Sequence, residues 1–229
     1  MVDGIARRIL RLLYPWRCLL CGGPGDGRDL CRDCADALPR HPRPCPLCAA
    51  PLPEGAAGPC GRCLRRPPPF RAWAALAHAP PADRIVHRAK YRGDLAALAL
   101  LAALMAEAAP AVDGVLVPVP LHRRRLAQRG YNQALELARG IARARGLPLA
   151  PALLARRRDT PSQVGLDARA RRRNLRTAFV ARDAAPRRVI LVDDVLTSGA
   201  TAEAAARALR RAGAAEIHLW VAARAAPPA

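Results

Sequence analysis

The sequence predicts an α/β protein, a parallel sheet flanked by helices, preceded by a small cysteine-rich module. Three observations carry this. From Val115 onward, short apolar runs alternate with helix-length amphipathic segments, the pattern of strands joined by crossover helices. All eight cysteines fall between Cys18 and Cys63. Between these two regions, Arg65 to Phe70 reads "RRPPPF", a stiff connector that marks a boundary.

Residues 1–65 form the first module. They open with "MVDGIARRILRLLYPW", a short amphipathic helix. Arg7, Arg8 and Arg11 break its apolar stretch and no small-residue cleavage site follows, so no secretory signal is expected and the protein reads as cytoplasmic. The cysteines form four C-x-x-C pairs, Cys18/Cys21, Cys31/Cys34, Cys45/Cys48 and Cys60/Cys63, separated by nine, ten and eleven residues. In a reducing compartment thiolates at this spacing are tetrahedral zinc ligands rather than disulfides. Eight thiolates suit two structural zinc sites of four cysteines each. Consecutive pairs give the simplest assignment, and an interleaved one satisfies the same spacing. Four thiolates leave no coordination position for water, so the metal would fold the module rather than do chemistry.

The second domain spans 70–229, with a hood over 70–110 and a core over 112–225. "AWAALAHA" (Ala72–Ala79) is a strand, and "ADRIVHRAKYRGDLAALALLAALMAEAA" is one or two helices divided near Gly93. Its longest apolar run, Leu95 to Ala106, has 12 residues. A membrane span needs about 20, so the run is a buried helix and no span is expected. "GVLVPVP" is a strand, and "YNQALELARGIARARG" is a helix with Gly146 as its stop signal. "APALLARR" is a short strand, and the polar segment after it contains Pro161 and Gly165. "RRVILVDDV" is a strand, "TAEAAARALRRAG" a helix ended by Gly213, and "EIHLWVAARA" the last strand. Such sheets bind ligands beyond the carboxyl ends of their strands.

The composition bounds the partners. The formal charge is +20 and the pI about 11.4, a balance that favours polyanions. Heavy use of Ala, Arg, Pro and Gly points to a coding bias that inflates arginine, so the charge names no specific partner. Aromatics are only 3% of the chain, and the core must be built from Ala, Leu and Val.

"VILVDDVLTSGAT", Val189 to Thr201, carries the chemistry. A buried strand delivers Asp193 and Asp194 at its carboxyl end. The turn Thr197-Ser198-Gly199-Ala200-Thr201 then opens a helix, where backbone N–H groups and three hydroxyls make a cradle for phosphate. It is not the lysine-bearing phosphate loop, because there is no Lys and the spacing differs. A ligand with a phosphate for the turn and vicinal hydroxyls for the carboxylates would satisfy both.

This stretch resembles, over all 13 positions, the PRPP-binding motif of type I phosphoribosyltransferases. With "VPVPLHRRRLAQRGYNQALELAR", "TPSQVGLDARARRRNLRTAF" and the four cysteine knuckles, the chain from about Cys18 to Arg224 resembles the ComF family of competence-associated, phosphoribosyltransferase-like proteins with an N-terminal double zinc ribbon. The resemblance implies the type I phosphoribosyltransferase fold. It implies that Asp193 and Asp194 take the ribose hydroxyls of PRPP and that Thr197, Ser198, Gly199, Ala200 and Thr201 hold the 5′-phosphate, with Mg²⁺ accompanying the diphosphate. It also implies a role in DNA uptake.

Within that frame Arg123, Arg124 and Arg125 fall at the pyrophosphate loop. Tyr131 packs, and Asn132 and Gln133 cap a helix or meet a ligand. Thr160, Ser162 and Gln163 fall in the mobile lid, and Arg172, Arg173 and Asn174 fall near the site or on a basic face. Arginine occurs 37 times and lysine once, at Lys90. A compact ammonium kept against that bias points to a ligand role at a tight site. The five histidines show no ligand pattern.

Two function classes follow. An enzyme would displace pyrophosphate from C1′ of PRPP, with no general acid or base named and the acceptor unread. A binding module would grip single-stranded DNA or sense PRPP without turnover. Tyr14, Trp16, Phe70 and Trp73 are its only aromatics near the cysteines, which is few for a stacking platform.

Overall fold

The computed structural model describes residues 15–91, 93–156, 178–182 and 184–226. The opening helix with Tyr14, and Thr160, Ser162, Gln163, Arg172, Arg173 and Asn174, lie outside the described residues.

Two short helices, α1 (Arg32–Asp36) and α2 (Gly61–Arg65), belong to the cysteine module. Strand β1 (Arg71–Ala77) follows, then helices α3 (Ala82–Tyr91) and α4 (Leu95–Ala108). The break between these two helices has Gly93 at φ 65°, where glycine carries no side-chain penalty. Asp94 caps α4 by accepting from Ala97 N at 3.0 Å. Strand β2 (Val115–Pro118) leads to α5 (Arg123–Arg129) and α6 (Gln133–Arg145), the latter closed by Gly146 at φ 66°. Strands β3 (Leu154–Arg156) and β4 (Phe179–Ala181) pair as an antiparallel ribbon. Strand β5 (Arg188–Leu196), helix α7 (Ala200–Arg211) and strand β6 (Glu216–Arg224) complete the order.

The main sheet is parallel throughout, in the order β1-β6-β5-β2. Both faces are covered. Ile190 and Val192 of β5, with Trp220 and Ala222 of β6, pack beneath α3, α4 and α6. Val189 and Leu191, with Leu219 and Val221, pack beneath α7 and the β3–β4 ribbon. The helices following β2 and β5 thus leave on opposite faces. A crevice opens between the carboxyl ends of two such strands, and ligands of doubly wound sheets sit there. Alanine-rich helices make close approach possible: a Cβ on Gly140 of α6 would lie 2.5 Å from the Ala102 Cβ of α4.

Two differences from the sequence reading have physical reasons. Residues 123–129, expected as the end of a strand and a loop, form α5, capped by His122 Nδ1 accepting from Arg124 N and by Gly130 at φ 77°. The strand expected over 150–157 narrows to β3 and leaves the main sheet. Pro148 and Pro151 lack N–H donors, and only Leu149 bridges to Leu116 beside β2. The 70–110 segment gives β1 to the sheet and α3 and α4 to one face, and among its described residues Lys90 and Tyr91 at the end of α3 line the crevice.

Candidate functional site

The cysteines gather into two groups, Cys18/Cys21/Cys31/Cys34 and Cys45/Cys48/Cys60/Cys63, with the sulfurs of each group within 4.8 Å of one another. Consecutive pairs therefore combine, and the interleaved alternative is excluded. Cys21 Sγ and Cys31 Sγ are 3.7 Å apart, as are Cys48 Sγ and Cys60 Sγ. A tetrahedron of thiolates around zinc at about 2.3 Å has edges of about 3.8 Å, so the sulfurs stand where the metal needs them. Without a cation the four thiols could not all ionise. Cys31 as a hydrogen-bonding neighbour, then burial, then Cys18 and Cys21 push Cys34 up to about 12. Burial works against ionisation of Cys18 too, but the backbone N–H groups of Cys21, Cys31 and Leu20 outweigh it and bring that thiol down to about 6.

Both groups are docked on the α/β domain. Arg28 pairs with Glu107 of α4 at 2.7 Å, and Arg88 of α3 donates to Leu19 O at 3.0 Å. On the second group, Arg62 Nη2 donates to Ser198 O at 2.7 Å and approaches Glu203 Oε1 at 3.4 Å.

The crevice between β2 and β5 holds a cavity of about 340 Å³. Its lining brings together Lys90, Arg125, Arg129, Arg156, the Asp193/Asp194 pair and the turn from Thr197 to Thr201. Four basic residues against two acidic ones leave the cavity net positive, which suits a ligand with several negative groups.

The end of β5 fixes the carboxylates. Asp194 N donates to Asp193 Oδ1 at 2.9 Å, and Val195 N to Asp194 Oδ1 at 2.6 Å. Lys90 Nζ stands 3.6 Å from Asp194 Oδ2. Burial and the neighbouring Asp194 charge push Asp193 up to about 8, against the opposing pull of the Asp194 N–H and Lys90. At neutral pH Asp193 therefore favours its protonated form.

The turn supplies donors. Gly199 sits at φ +82° as the N-cap of α7, and the N–H groups in the first turn of a helix have no intrahelical partner. Among the described residues the N–H groups of Thr197, Ser198 and Gly199 have no protein acceptor. Consecutive unpaired amides at the positive end of a twelve-residue helix can receive an anion.

The lysine end of α3 is held by Tyr131 and by the first residue of α6. Tyr131 donates its hydroxyl proton to Ala89 O, and Gln133 Nε2 donates to Lys90 O at 3.4 Å. Asn132 caps α6 through Ala134 N at 3.1 Å and donates to Val119 O at 3.1 Å. Asn132 and Gln133 also line the cavity, while Tyr131 packs. Of the three arginines expected at a diphosphate, Arg125 lines the cavity, whereas Arg123 and Arg124 are exposed outside it. Arg129, one turn beyond Arg125 on α5, joins it and lies 5.8 Å from the Tyr91 ring. The spacing of Arg125 and Arg129 before Gly130 was the available signal for that pair. Arg156, over the Phe179 ring at 5.5 Å, carried none.

Comparison with known proteins matches residues 9–64 to a double zinc ribbon domain and residues 129–227 to a phosphoribosyl transferase domain. The DNA utilization protein YhgH of Escherichia coli O157:H7 is 35% identical over 221 residues, 91% of this chain and 97% of its own. Competence protein F of Haemophilus influenzae is 33% identical over 227 residues, 93% of this chain and 98% of its own. The chain belongs to the ComF family. This ComF-family chain therefore combines a phosphoribosyltransferase-type α/β fold with an N-terminal double zinc ribbon, and its two four-cysteine groups are the zinc sites of that ribbon. A glutamine PRPP amidotransferase from B. subtilis complexed with ADP and GMP is 23% identical to it, over 59% of this chain and 30% of the other, with a TM-score of 0.42. No helix among the described residues is long and apolar enough to cross a membrane.

Proposed function

We propose that this protein binds PRPP with Mg²⁺ in the β2–β5 crevice and transfers its phosphoribosyl group, in a pathway of DNA uptake or nucleotide metabolism. The observation that carries the reading is the pairing of unpaired amides at Thr197 to Gly199 with two carboxylates at Asp193 and Asp194 on one cavity wall. The turn, with the Thr197, Ser198 and Thr201 hydroxyls, takes the 5′-phosphate. The carboxylates accept from the 2′- and 3′-hydroxyls of the ribose. Arg125, Arg129 and Lys90 face the diphosphate.

In the transfer the C1′–O bond breaks and its electron pair leaves on pyrophosphate. The acceptor forms the new bond to C1′ and gives up a proton. Mg²⁺ binds hard oxygens and would neutralise diphosphate charge near Asp193 and Asp194, the carboxylates of the lining. The arginines lower the barrier by meeting charge that grows on the leaving group. Asp193 and Asp194 orient the sugar and serve neither as general acid nor as base.

The test is calorimetric titration of zinc-loaded protein with PRPP and Mg²⁺. Micromolar binding that disappears in Asp193→Asn/Asp194→Asn supports the reading, and wild type that ignores PRPP ends it. Pyrophosphate release with candidate acceptors separates an enzyme from a sensor. A second reading, a single-strand nucleic-acid module linked to the DNA-uptake machinery, draws on the +20 charge and on relatives named for DNA utilization and competence. There the double Asn variant keeps or strengthens DNA binding.

A further inference from the structure

The second zinc site is joined to the anion-binding turn by two arginines. Arg224 ends β6 and is only 2% exposed. Its Nε donates to Cys48 O at 3.0 Å, and its Nη1 donates to Leu196 O at 2.7 Å, to Thr197 O at 2.8 Å and to Ala225 O. Arg62 lies between the ligands Cys60 and Cys63 and donates to Ser198 O. Three successive carbonyls, Leu196 to Ser198, are therefore gripped from the ribbon side. In a trans peptide the C=O of one residue and the N–H of the next point in opposite directions. Gripping those carbonyls turns the N–H groups of Thr197, Ser198 and Gly199 away from the ribbon, towards the cavity that these residues line.

The charges fit the geometry. Among the described residues no carboxylate pairs with Arg224, although a buried guanidinium needs a compensating anion. Four thiolates around one divalent zinc carry a net formal charge of about −2. Cys48, a ligand of that centre, is the residue whose carbonyl Arg224 holds. Among the described residues the first zinc site is tied instead to Glu107 and Arg88 on α4 and α3.

We infer that the Cys45/Cys48/Cys60/Cys63 site is energetically linked to anion binding at the turn, with Arg62 and Arg224 as the positioning residues that carry the linkage. Metal at this site holds both guanidiniums behind the turn and aims its amides. By reciprocity an anion on the turn holds the metal. The ribbon thus works as an adjustable support for the site.

The choice of PRPP as probe rests on the functional reading above. The test uses the full chain with both zinc sites loaded. Amide exchange is followed by mass spectrometry over residues 15–36 and 43–66, alongside zinc loss to a colorimetric chelator and PRPP affinity by calorimetry. Saturating PRPP should slow exchange over 43–66 and the loss of one of the two ions by about fivefold, with 15–36 unchanged. Arg62→Met removes a side chain that is 43% exposed, so the fold should tolerate it. It should weaken PRPP about five- to tenfold and abolish the protection of 43–66, with two zinc ions retained. Two outcomes overturn the linkage: PRPP binding without protection of 43–66, or an Arg62→Met variant that binds PRPP as tightly as wild type. If wild type does not bind PRPP, the functional reading fails by itself, and the same readouts with inorganic phosphate decide the linkage. Protection of 43–66 by phosphate upholds it, and no protection refutes it.

Discussion

Lys90 Nζ lies 3.6 Å from Asp194 Oδ2, joining the last turn of α3 to the carboxyl end of β5. The single lysine of the chain thus stands against the aspartate pair, at a point where α3 is held by Tyr131 and by Gln133 of α6. An ammonium is a compact point charge, whereas a guanidinium is a broad fork. Lys90→Arg should therefore weaken PRPP binding by roughly tenfold, and Lys90→Met by at least as much. Titration calorimetry in Mg²⁺ checks this, and an Arg variant with wild-type affinity would remove Lys90 from the site.

The raised Asp193 makes a pH prediction. Its ordinary value is 3.8 and its folded value about 8, so the folded state favours the protonated form. Stability from this group is complete below about pH 4, is lost as pH climbs to 8, and changes no further above it. Asp193→Asn removes the titration. The melting-temperature difference between variant and wild type should therefore widen in the variant's favour from pH 4 to 8 and then level. A constant difference across that range would contradict the burial of this carboxyl.

The metal sites predict stoichiometry. Elemental analysis should find two zinc ions per chain, and Cys45→Ser should lose one while the first group keeps its own. A small module built around metal loses its structure with it. A strong chelator should therefore expose residues 15–66 to protease well before the α/β domain unfolds. Preparations with one ion per chain would refute two independent sites.

Gly199 tests the turn itself. An added Cβ meets only ordinary contacts, 3.7 Å from Leu196 and 3.9 Å from Arg62, so the penalty of Gly199→Ala lies in the backbone at φ +82°. A left-handed alanine costs about 1–2 kcal/mol. The melting temperature should fall by about 2–8 °C. If the turn relaxes instead, PRPP affinity falls and stability is spared. A variant unchanged in both measurements would show that the positive φ is dispensable.

Gly140 tests the interface of α4 and α6. A Cβ 2.5 Å from the Ala102 Cβ cannot be accommodated without separating the helices. Gly140→Ala should cost about 1–3 kcal/mol by overpacking, and Ala102→Gly in the same chain should recover most of it. Denaturant unfolding of the single and double variants provides the cycle.

The features readable in the sequence are those set by neighbours in the chain. The cysteine pairs, the glycine break at Gly93, the stop at Gly146 and the aspartate strand with its turn all lie within a few residues of what they determine. The α5 helix escaped because "HRRRLAQRG" has too few apolar residues to show a period, and only its arginine spacing and Gly130 mark it. Arg224 was invisible as a site residue. It closes an apolar strand and looks like a solvated end, yet it is buried by the ribbon around Cys48, distant in sequence. The same distance hid Arg62, whose partner is Ser198.

The register of β1 on β6 sets a timetable for the growing chain. Arg71 pairs with His218, so β1 waits for its sheet partner through most of the synthesis of the α/β domain. At usual translation speeds the delay is roughly 7–30 s. During it, β1 can pack against α4 and take backbone hydrogen bonds from the cysteine module, Ala72 N donating to Leu47 O at 3.0 Å and Ala77 N to Pro39 O at 2.8 Å. An apolar strand left open that long invites a neighbouring chain. The ribbon covers part of this strand through Leu47 and Pro39, so a cell short of zinc should yield more of this protein as aggregate.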